Sequence, residues 1–398
     1  MREYQIPLAD PLDAGMPPQA PSRLNLLATP VSRWASRIRR RRRLAYVDSH
    51  FPWARSGFRY EEALEIYRRR PDTLFFAVQP CTDDFPARVH RLADFGSVAP
   101  AAGVTDVHVV FLNLALAVVG VPSSQDRPPV PGERNDLSLR TPLARWGMRT
   151  HVTVYPGGGY LPGTSERVVQ ELGARVTTIF TSVPEVKTSW PGAVDTRVPV
   201  STTFYRPGRA QDDDRLRLAF VGDDKPRKGL AVLLAALRGV DGDWTLDVVG
   251  PHARHAEALA RFGNRVAVHG WLEPSALQPV LQRCNVVVAP ATRDLQEDGY
   301  GDVGMVDGFP TTASLIAMLS GCCLVGCNPN SLASPLRDGD WIPVPERDSS
   351  ALSGALRALA ADPGRRRRTA ERGRATVVAA YDVTTVVGDK LRRMALVA

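Results

Sequence analysis

No run of about 18 apolar residues occurs in the 398-residue chain, so no transmembrane helix is expected. The longest candidate, Val107 to Val121, is interrupted by His108 and Asn113 and ends against Pro122. The first residues, Met-Arg-Glu, are not followed by the apolar core and small-residue cleavage site of a signal peptide, which makes cytoplasmic residence the expectation. Cysteine is scarce. Of five residues, Cys322, Cys323 and Cys327 share one apolar run, while Cys81 and Cys284 stand alone. No C-x-x-C pair recurs and no Cys/His spacing matches a zinc site, so the cysteines read as small buried residues of a reducing compartment.

Nucleic-acid binding is not expected either, because basic residues are not interleaved with aromatics and no recognisable module is present. The chain is nonetheless basic, with 50 Lys and Arg against 42 Asp and Glu and a formal charge of +8. Such a surface attracts polyanions, phosphorylated small molecules included. The excess is localised. Arg37 with Arg39–Arg43 forms one block, and Arg365–Arg368 a second. The second lies in a helix-like stretch, Pro363 to Ala380, and reads as its charged outer face. The first directly precedes an expected strand, where it is either solvated or in weak peripheral contact with a membrane.

A chain of this length exceeds one ordinary hydrophobic core, and two domains are the default. Residues 1–43 read as an irregular basic leader rich in proline. From Leu44 short apolar strands alternate with helical patterns, the rhythm of a parallel sheet covered on both faces. The expected strands are Leu44–Asp48, Leu74–Val78, Val107–Phe111, Val152–Tyr155 and Thr177–Thr181. Between the first two, apolar and aromatic residues at 60, 63, 64 and 67 predict a helix over Tyr60–Arg70. The proline- and charge-rich stretch Pro122–Pro142 reads as a long loop. The rhythm restarts at Leu216, with strands Leu216–Val221, Thr245–Val249, Val266–His269, Val286–Ala289 and Cys323–Gly326 and helices such as Leu230–Leu237 and Pro274–Cys284. The linker lies around Phe204–Asp214. The expected fold class is α/β, with two doubly wound Rossmann-like domains, residues 44–205 and 206–380, facing a central cleft. Ligands in such sheets bind beyond the carboxyl ends of the strands.

Two segments placed there carry candidate chemistry. Gly222-Asp-Asp-Lys-Pro-Arg-Lys-Gly229 follows the first strand of the second half. Gly222 allows a tight turn, and Lys225, Arg227 and Lys228 offer positive charge ahead of a helix N-terminus, which suits a diphosphate. An exposed charged turn is the competing reading. The second segment, Asp307-Gly-Phe-Pro-Thr-Thr312, ends a loop and opens a helix through Met318. Pro310 fits a first helical turn, and Thr311 and Thr312 can cap its amides. Asp307 either accepts hydrogen bonds from sugar hydroxyls or simply caps the helix.

Taken together these motifs resemble the C-terminal domain of GT-B glycosyltransferases, glycosyltransferase family four in particular. The similarity runs from Arg217 to about Tyr381 through F-V-G-D-D-K-P-R-K-G, D-V-V-G-P, V-H-G-W-L, L-Q-R-C-N-V-V-V-A-P-A and D-G-F-P-T-T-A-S-L-I-A-M-L-S-G, closing on D-P-G-R-R-R-R-T-A-E-R-G-R. The resemblance implies a nucleotide-sugar donor site. Lys228 takes the role of the family's diphosphate-binding lysine, while Asp223 stands where the family has an arginine. Asp307 matches the acid that contacts the transferred sugar, and Ile316 occupies the place of the acid that contacts the nucleotide ribose. Gly308, Phe309, Pro310, Thr311 and Thr312 are the donor-binding residues of that helix start.

In the first half, Asp48-Ser-His-Phe-Pro-Trp-Ala-Arg-Ser-Gly57 resembles the glycine-rich turn near the donor phosphate, with Gly57 as its glycine and Arg55 as a further cation. Asp106-Val-His108 echoes the family's D-V-x-H strand, and His108 is carried as a third catalytic candidate beside Asp307 and Lys228. For His108 and His151 an ordinary satisfied histidine is the competing reading. A second family histidine is replaced by Tyr155, ahead of Pro156 and a triple glycine ending at Gly159. Residues 381–398 are expected to form a C-terminal helix packing back on the N-terminal domain.

The implied activity is retaining transfer of a hexose from a UDP or GDP donor to an unidentified hydroxyl, with no metal and no cofactor beyond the nucleotide-sugar. Two alternatives stay open: a GT-B epimerase or phosphorylase, and a catalytically degenerate GT-B protein acting as a binding or partner subunit, for which Asp223 and Ile316 speak.

Overall fold

The computed structural model describes residues 42–121, 137–156, 165–208, 214–293, 308–329, 331–332 and 334–397. Their first half builds seven strands: β1 (Leu44–Phe51), β2 (Leu74–Pro80), β3 (Val89–Arg91), β4 (Asp106–Val110), β5 (Arg149–Val154), β6 (Thr178–Thr181) and β7 (Val194–Asp195). They pair in the order β3-β2-β1-β4-β5-β6-β7, every pair parallel. The second half builds β8 (Leu216–Val221), β9 (Trp244–Val249), β10 (Val266–Val268), β11 (Val286–Ala289), β12 (Cys323–Gly326) and β13 (Ile342–Pro343), in the order β10-β9-β8-β11-β12-β13, again all parallel. Each sheet reverses direction next to its first strand, between β1 and β4 and between β8 and β11. Those are the switch points where ligands of doubly wound sheets bind.

The apolar strand sequences follow from burial on both faces. In β1, Leu44 through Val47 are wholly buried, and neighbours point to opposite sides. Ala45 and Val47 join a core with Leu112, Leu114 and Val118 of the helix Leu112–Val118. Leu44 and Tyr46 join a second core with Ala63 and Ile66 of the helix Phe58–Arg69 and with Val383, Val387 and Leu391 of the helix Val383–Arg393. The second sheet is likewise covered on both sides, by the helices Leu230–Leu237 and Ser349–Ala361 on one face and by Pro274–Gln282 and Thr312–Leu319 on the other.

The chain passes between the domains twice, and the two passages are bonded together. The Val200 amide donates to the Tyr381 carbonyl at 2.9 Å, and the Val383 amide donates to the Val200 carbonyl at 3.0 Å. Tyr381 ends the helix Pro363–Tyr381 of the second domain; Asp382 then caps Val383–Arg393, its carboxylate accepting from the Thr384 and Thr385 amides. This last helix lies on the first domain. Lys390 Nζ donates to Glu62 Oε1 and to Tyr155 Oη, both at 2.6 Å, and Tyr155 Oη donates to Glu62 Oε2 at 2.9 Å. All three side chains are buried.

Several expectations need correction. The edge strands β3, β7 and β13, two or three residues each, were not expected, because so short a segment shows no periodicity. The expected loop Pro122–Pro142 lies outside the described residues up to 136, and its end enters a helix, Arg140–Arg145. In the arginine block, Arg39 to Arg41 lie outside the described residues, as does the rest of the leader. Arg42 forms an ion pair with Asp106, and Arg43 donates to the Asp72 and Ala102 carbonyls at 2.8 and 2.9 Å. Those two side chains are therefore engaged within the protein itself. In the second block Arg366 is only 1% exposed, turned inward toward the Leu359 carbonyl, while Arg365 and Arg368 face solvent. Among the described residues no helix is long and apolar enough to cross a membrane.

Candidate active site

The carboxyl ends of β8, β9 and β10 are pressed together backbone to backbone. The Gly222 amide donates to the Val249 carbonyl at 3.0 Å, and the Gly250 amide to the Gly270 carbonyl at 2.7 Å. Gly250 has φ +117°, and a Cβ there would lie 1.7 Å from the Gly222 carbonyl oxygen. Only glycine fits such an approach. Gly250 is the glycine of the D-V-V-G-P segment, and its place directly after β9 is the signal in the sequence for this approach.

Beyond Gly222 the chain turns through a 3-10 segment, Pro226–Lys228, and Gly229 before entering the helix Leu230–Leu237. Three residues per turn send three successive side chains in three directions. Lys228 leans on Gly222, where a Cβ would lie 3.4 Å from Lys228 Cγ, and it borders the interdomain cleft together with Asp223. Arg227 is buried away from the cleft, and its carbonyl accepts from the Thr292 amide at 2.8 Å. Lys225 points to solvent and pairs with Asp223 at 3.7 Å. The expected trio of cations thus reduces to one. Lys225 and Arg227 do not line the cleft.

The second element is the helix Thr312–Leu319. Thr311 is its N-cap, with extended backbone and Oγ1 accepting from the Ser314 amide at 3.1 Å. The Thr312 and Ala313 amides sit where a helix has no internal acceptor, and both residues border the cleft. Pro310 precedes the cap and is not in the first turn as expected; its peptide with Phe309 is cis. Phe309 packs on Trp341 with ring centroids 4.5 Å apart, and Gly308 faces Pro156 of the first domain. Four residues on from Thr312, Ile316 falls on the same helix face and also lines the cleft. Asp307 lies outside the described residues, as do 157–160 of the triple-glycine turn.

Across the cleft the first domain presents a matching helix start. The turn Ala54–Ser56 leads through Gly57 into Phe58–Arg69. Gly57 has φ +61°, and a Cβ there would lie 3.3 Å from Thr312 Cγ2. The two helix N-termini therefore meet head to head, each with partial positive charge. Arg55, instead of facing the cleft freely, bonds Glu273 of the second domain, Nε to Oε1 at 2.6 Å. Below the turn, Arg59 holds Asp48, Nη1 to Oδ1 at 2.7 Å, with its guanidinium 5.2 and 5.7 Å from the Phe111 and Trp53 ring centroids. Burial pushes the Asp48 carboxyl above its ordinary range against the Arg59 charge. The sequence reading missed this pair because nothing local marks Arg59 as an inward residue.

Two adjoining cavities result. The larger, about 250 Å³, runs from Lys228 and Gly222 past Thr312 to Val249, Trp271 and Leu277. The smaller, about 200 Å³, lies among Phe58, Tyr60, Glu61, Ser201, Phe204 and Tyr205. Gly57, Tyr205, Pro274, Thr312 and Ile316 wall both.

His108 is elsewhere. It points from β4 into the core under Phe58–Arg69, fully buried, with Nε2 2.8 Å from Thr153 Oγ1 and its ring edge-on to Tyr46. Burial, aided by the Lys390 charge, pushes its pKa well below the ordinary histidine value. No ligand in the cleft reaches it, so the catalytic role expected for His108 is corrected to that of a neutral core histidine. His151 is also internal, with Nε2 3.0 Å from Asp106 Oδ1. Among the described residues no group of three His, Cys, Asp or Glu converges in a way that could hold a metal ion.

Residues 215–362 match the family model described as Glycosyl transferases group 1. HepE of Anabaena, solved in complex with UDP-glucose, superposes with a TM-score of 0.65 at 12% identity, over 89% of this chain and 100% of that one. Sucrose-phosphate synthase of Thermosynechococcus elongatus gives 0.63 at 14%, over 89% and 99%. A glycosyltransferase of Rickettsia africae gives 0.63 at 10%, over 88% and 97%. No curated protein sequence matches the chain. At such identities the structures show a shared fold, and with the family match they bear out the recognition of a GT-B fold.

Proposed function

We propose that this GT-B glycosyltransferase moves a hexose from a UDP or GDP donor to a hydroxyl acceptor, with retention of configuration. The observation that carries the reading is the meeting of Gly57 and the Thr312 helix start beside Lys228, at the switch point of both sheets. A nucleoside diphosphate leaves with two negative charges that grow as the glycosidic bond breaks. Lys228 and the Thr312 and Ala313 amides border the cleft on the side where that charge would develop, and preorganised hydrogen-bond donors at such a place contribute most to rate. Gly57 lets the backbone of the opposite domain approach the same phosphates. Closure of the domains excludes water, which would otherwise accept the sugar. Asp307, immediately before Gly308 in sequence, is the carboxylate proposed to orient the sugar, and the retaining outcome rests on the resemblance to family four. HepE, whose structures contain UDP and UDP-glucose, supports the donor class.

A second reading, a GT-B subunit that binds without transferring, is favoured by Asp223. Its carboxylate lines the cleft beside Lys228, with Oδ1 buried and without a hydrogen-bond partner among the described residues. One experiment separates the two: calorimetry of the full chain against a panel of UDP- and GDP-sugars, paired with a hydrolysis and transfer assay. Lys228→Ala is expected to abolish transfer while the protein stays folded. Normal turnover in that variant refutes the assignment, and binding without turnover in the wild type favours the second reading.

A further inference from the structure

The two cavities differ in what they can hold. One end of the larger has the phosphate-binding elements Lys228 and Thr312; the other is an apolar slot of Val249, Trp271 and Leu277 that suits a flat base. In any nucleoside diphosphate the ribose joins these two ends. A ribose joining them would lie over the stretch between them, where Tyr205, Pro274 and Ile316 wall both cavities, with the smaller cavity open beside its hydroxyl edge. Ile316 and Pro274 offer that edge contact but no acceptor. A buried hydroxyl without an acceptor costs about 1–3 kcal/mol, so the site needs an acceptor from another element.

The smaller cavity offers the hydroxyls of Tyr60, Ser201 and Tyr205 and one carboxylate, which as an ionised group is the stronger acceptor. Glu61, in the first turn of Phe58–Arg69, is the only carboxylate among its lining residues. Among the described residues no hydrogen bond or ion pair engages the Glu61 carboxylate; the amide of the residue donates to the Gly57 carbonyl at 3.1 Å. The side chain is half-buried, and that burial raises the Glu61 pKa above the ordinary carboxylate value. Tyr205, a wall residue of both cavities, lines the smaller one together with Glu61, and burial, aided by the Glu61 charge, raises its pKa.

We propose that the smaller cavity is the ribose-hydroxyl subsite of the donor, with Glu61 of the N-terminal domain as its hydrogen-bond acceptor. The inference rests on the donor reading given above. It assigns the specificity for ribose to the domain opposite the phosphate site, so that the nucleotide spans the cleft and draws the two halves together.

The test is titration of the full chain, wild type and variants, with UDP and GDP and with their 2′-deoxy and 3′-deoxy forms. A hydrogen bond to a carboxylate predicts that the wild type prefers the ribo form over at least one deoxy form by about tenfold or more. In Glu61→Ala that ratio falls to within about twofold of unity, with Glu61→Gln between the two, while the thermal midpoint stays put because the side chain is partly exposed and holds no partner. A wild-type ratio that survives intact in Glu61→Ala overturns the proposal. So does an equal loss of affinity for ribo and deoxy forms, which would make Glu61 a residue that shapes the cleft. If the wild type binds neither diphosphate, the donor reading itself fails and takes the inference with it.

Discussion

Replacing Lys390 by methionine tests how the C-terminal helix is held to the first domain. Lys390, Glu62 and Tyr155 form a closed triangle with sides of 2.6, 2.6 and 2.9 Å, and none of the three is more than 2% exposed. Methionine keeps most of the volume but leaves the Glu62 carboxylate in the interior without its cation. Removing one partner of a buried ion pair costs about 3–5 kcal/mol, because the remaining charge is uncompensated. For a domain of this size one kcal/mol lowers the melting temperature by about 2–4 °C, so a drop on the order of 6–20 °C is expected. The second half of the test is the double variant Lys390→Met/Glu62→Leu, in which no charge is stranded. Apolar replacement of a whole buried pair is often neutral or better, so the loss should shrink to about 1–3 kcal/mol, the cost of the Tyr155 hydroxyl left without its two partners. Differential scanning calorimetry of the full chain, with urea melts of the same proteins, reads both. If the double variant is as unstable as the single one, the stranded-charge reasoning is wrong, and the cost lies in lost packing between the helices Phe58–Arg69 and Val383–Arg393.

Gly250→Ala places a methyl 1.7 Å from the Gly222 carbonyl at φ +117°, and a loss of about 3 kcal/mol or more is expected in chemical denaturation, with donor affinity falling as the Gly222 turn shifts. Thr311→Ala removes the cap on the cleft helix; about 1 kcal/mol of stability should go, and calorimetry should show weaker diphosphate binding. His108 bears on pH. Its pKa when folded is well below the ordinary 6.5, so from 6.5 down to the folded pKa the unfolded chain binds the extra proton and stability falls with acidification; above 6.5 the contribution is constant. His108→Gln should therefore flatten the fall of melting temperature between pH 7 and 5 (a window chosen about the ordinary histidine value), and an unchanged slope would exclude His108 as its source.

The sheets were legible because their central strands are apolar runs bounded by turn residues. Leu216–Val221, Val286–Ala289 and Cys323–Gly326 have the expected ends, whereas β3, β7 and β13 are too short to show any pattern. In the site, position was legible and direction was not. Gly222, Gly57 and Thr312 were found because they follow strands or open helices, the places where doubly wound sheets bind ligands. Arg227 was misread because a run of cations says nothing about which one a 3-10 turn points inward. His108 was misread for the same reason. A histidine in an alternating strand has two faces available, and only the packing of Phe58–Arg69 and Val383–Arg393 over β4 decides which one it takes. Glu61 carried no signal of its own among Glu61, Glu62 and Glu65 of a charged-looking helix; the neighbouring domain and linker distinguish it.

The bonded pair of crossings at Val200, Tyr381 and Val383 limits how the two halves can move. A single linker would let one domain swivel about any axis, but two strands tied by hydrogen bonds bend together and resist twisting. Opening and closing would then be confined to a hinge about the line of the paired segments, which would keep Gly57 in register with Thr312. The helix after Asp382 travels with the first domain although most of what precedes it belongs to the second. Cutting the chain between Tyr381 and Val383 would therefore free the rotation without removing a residue from the cleft.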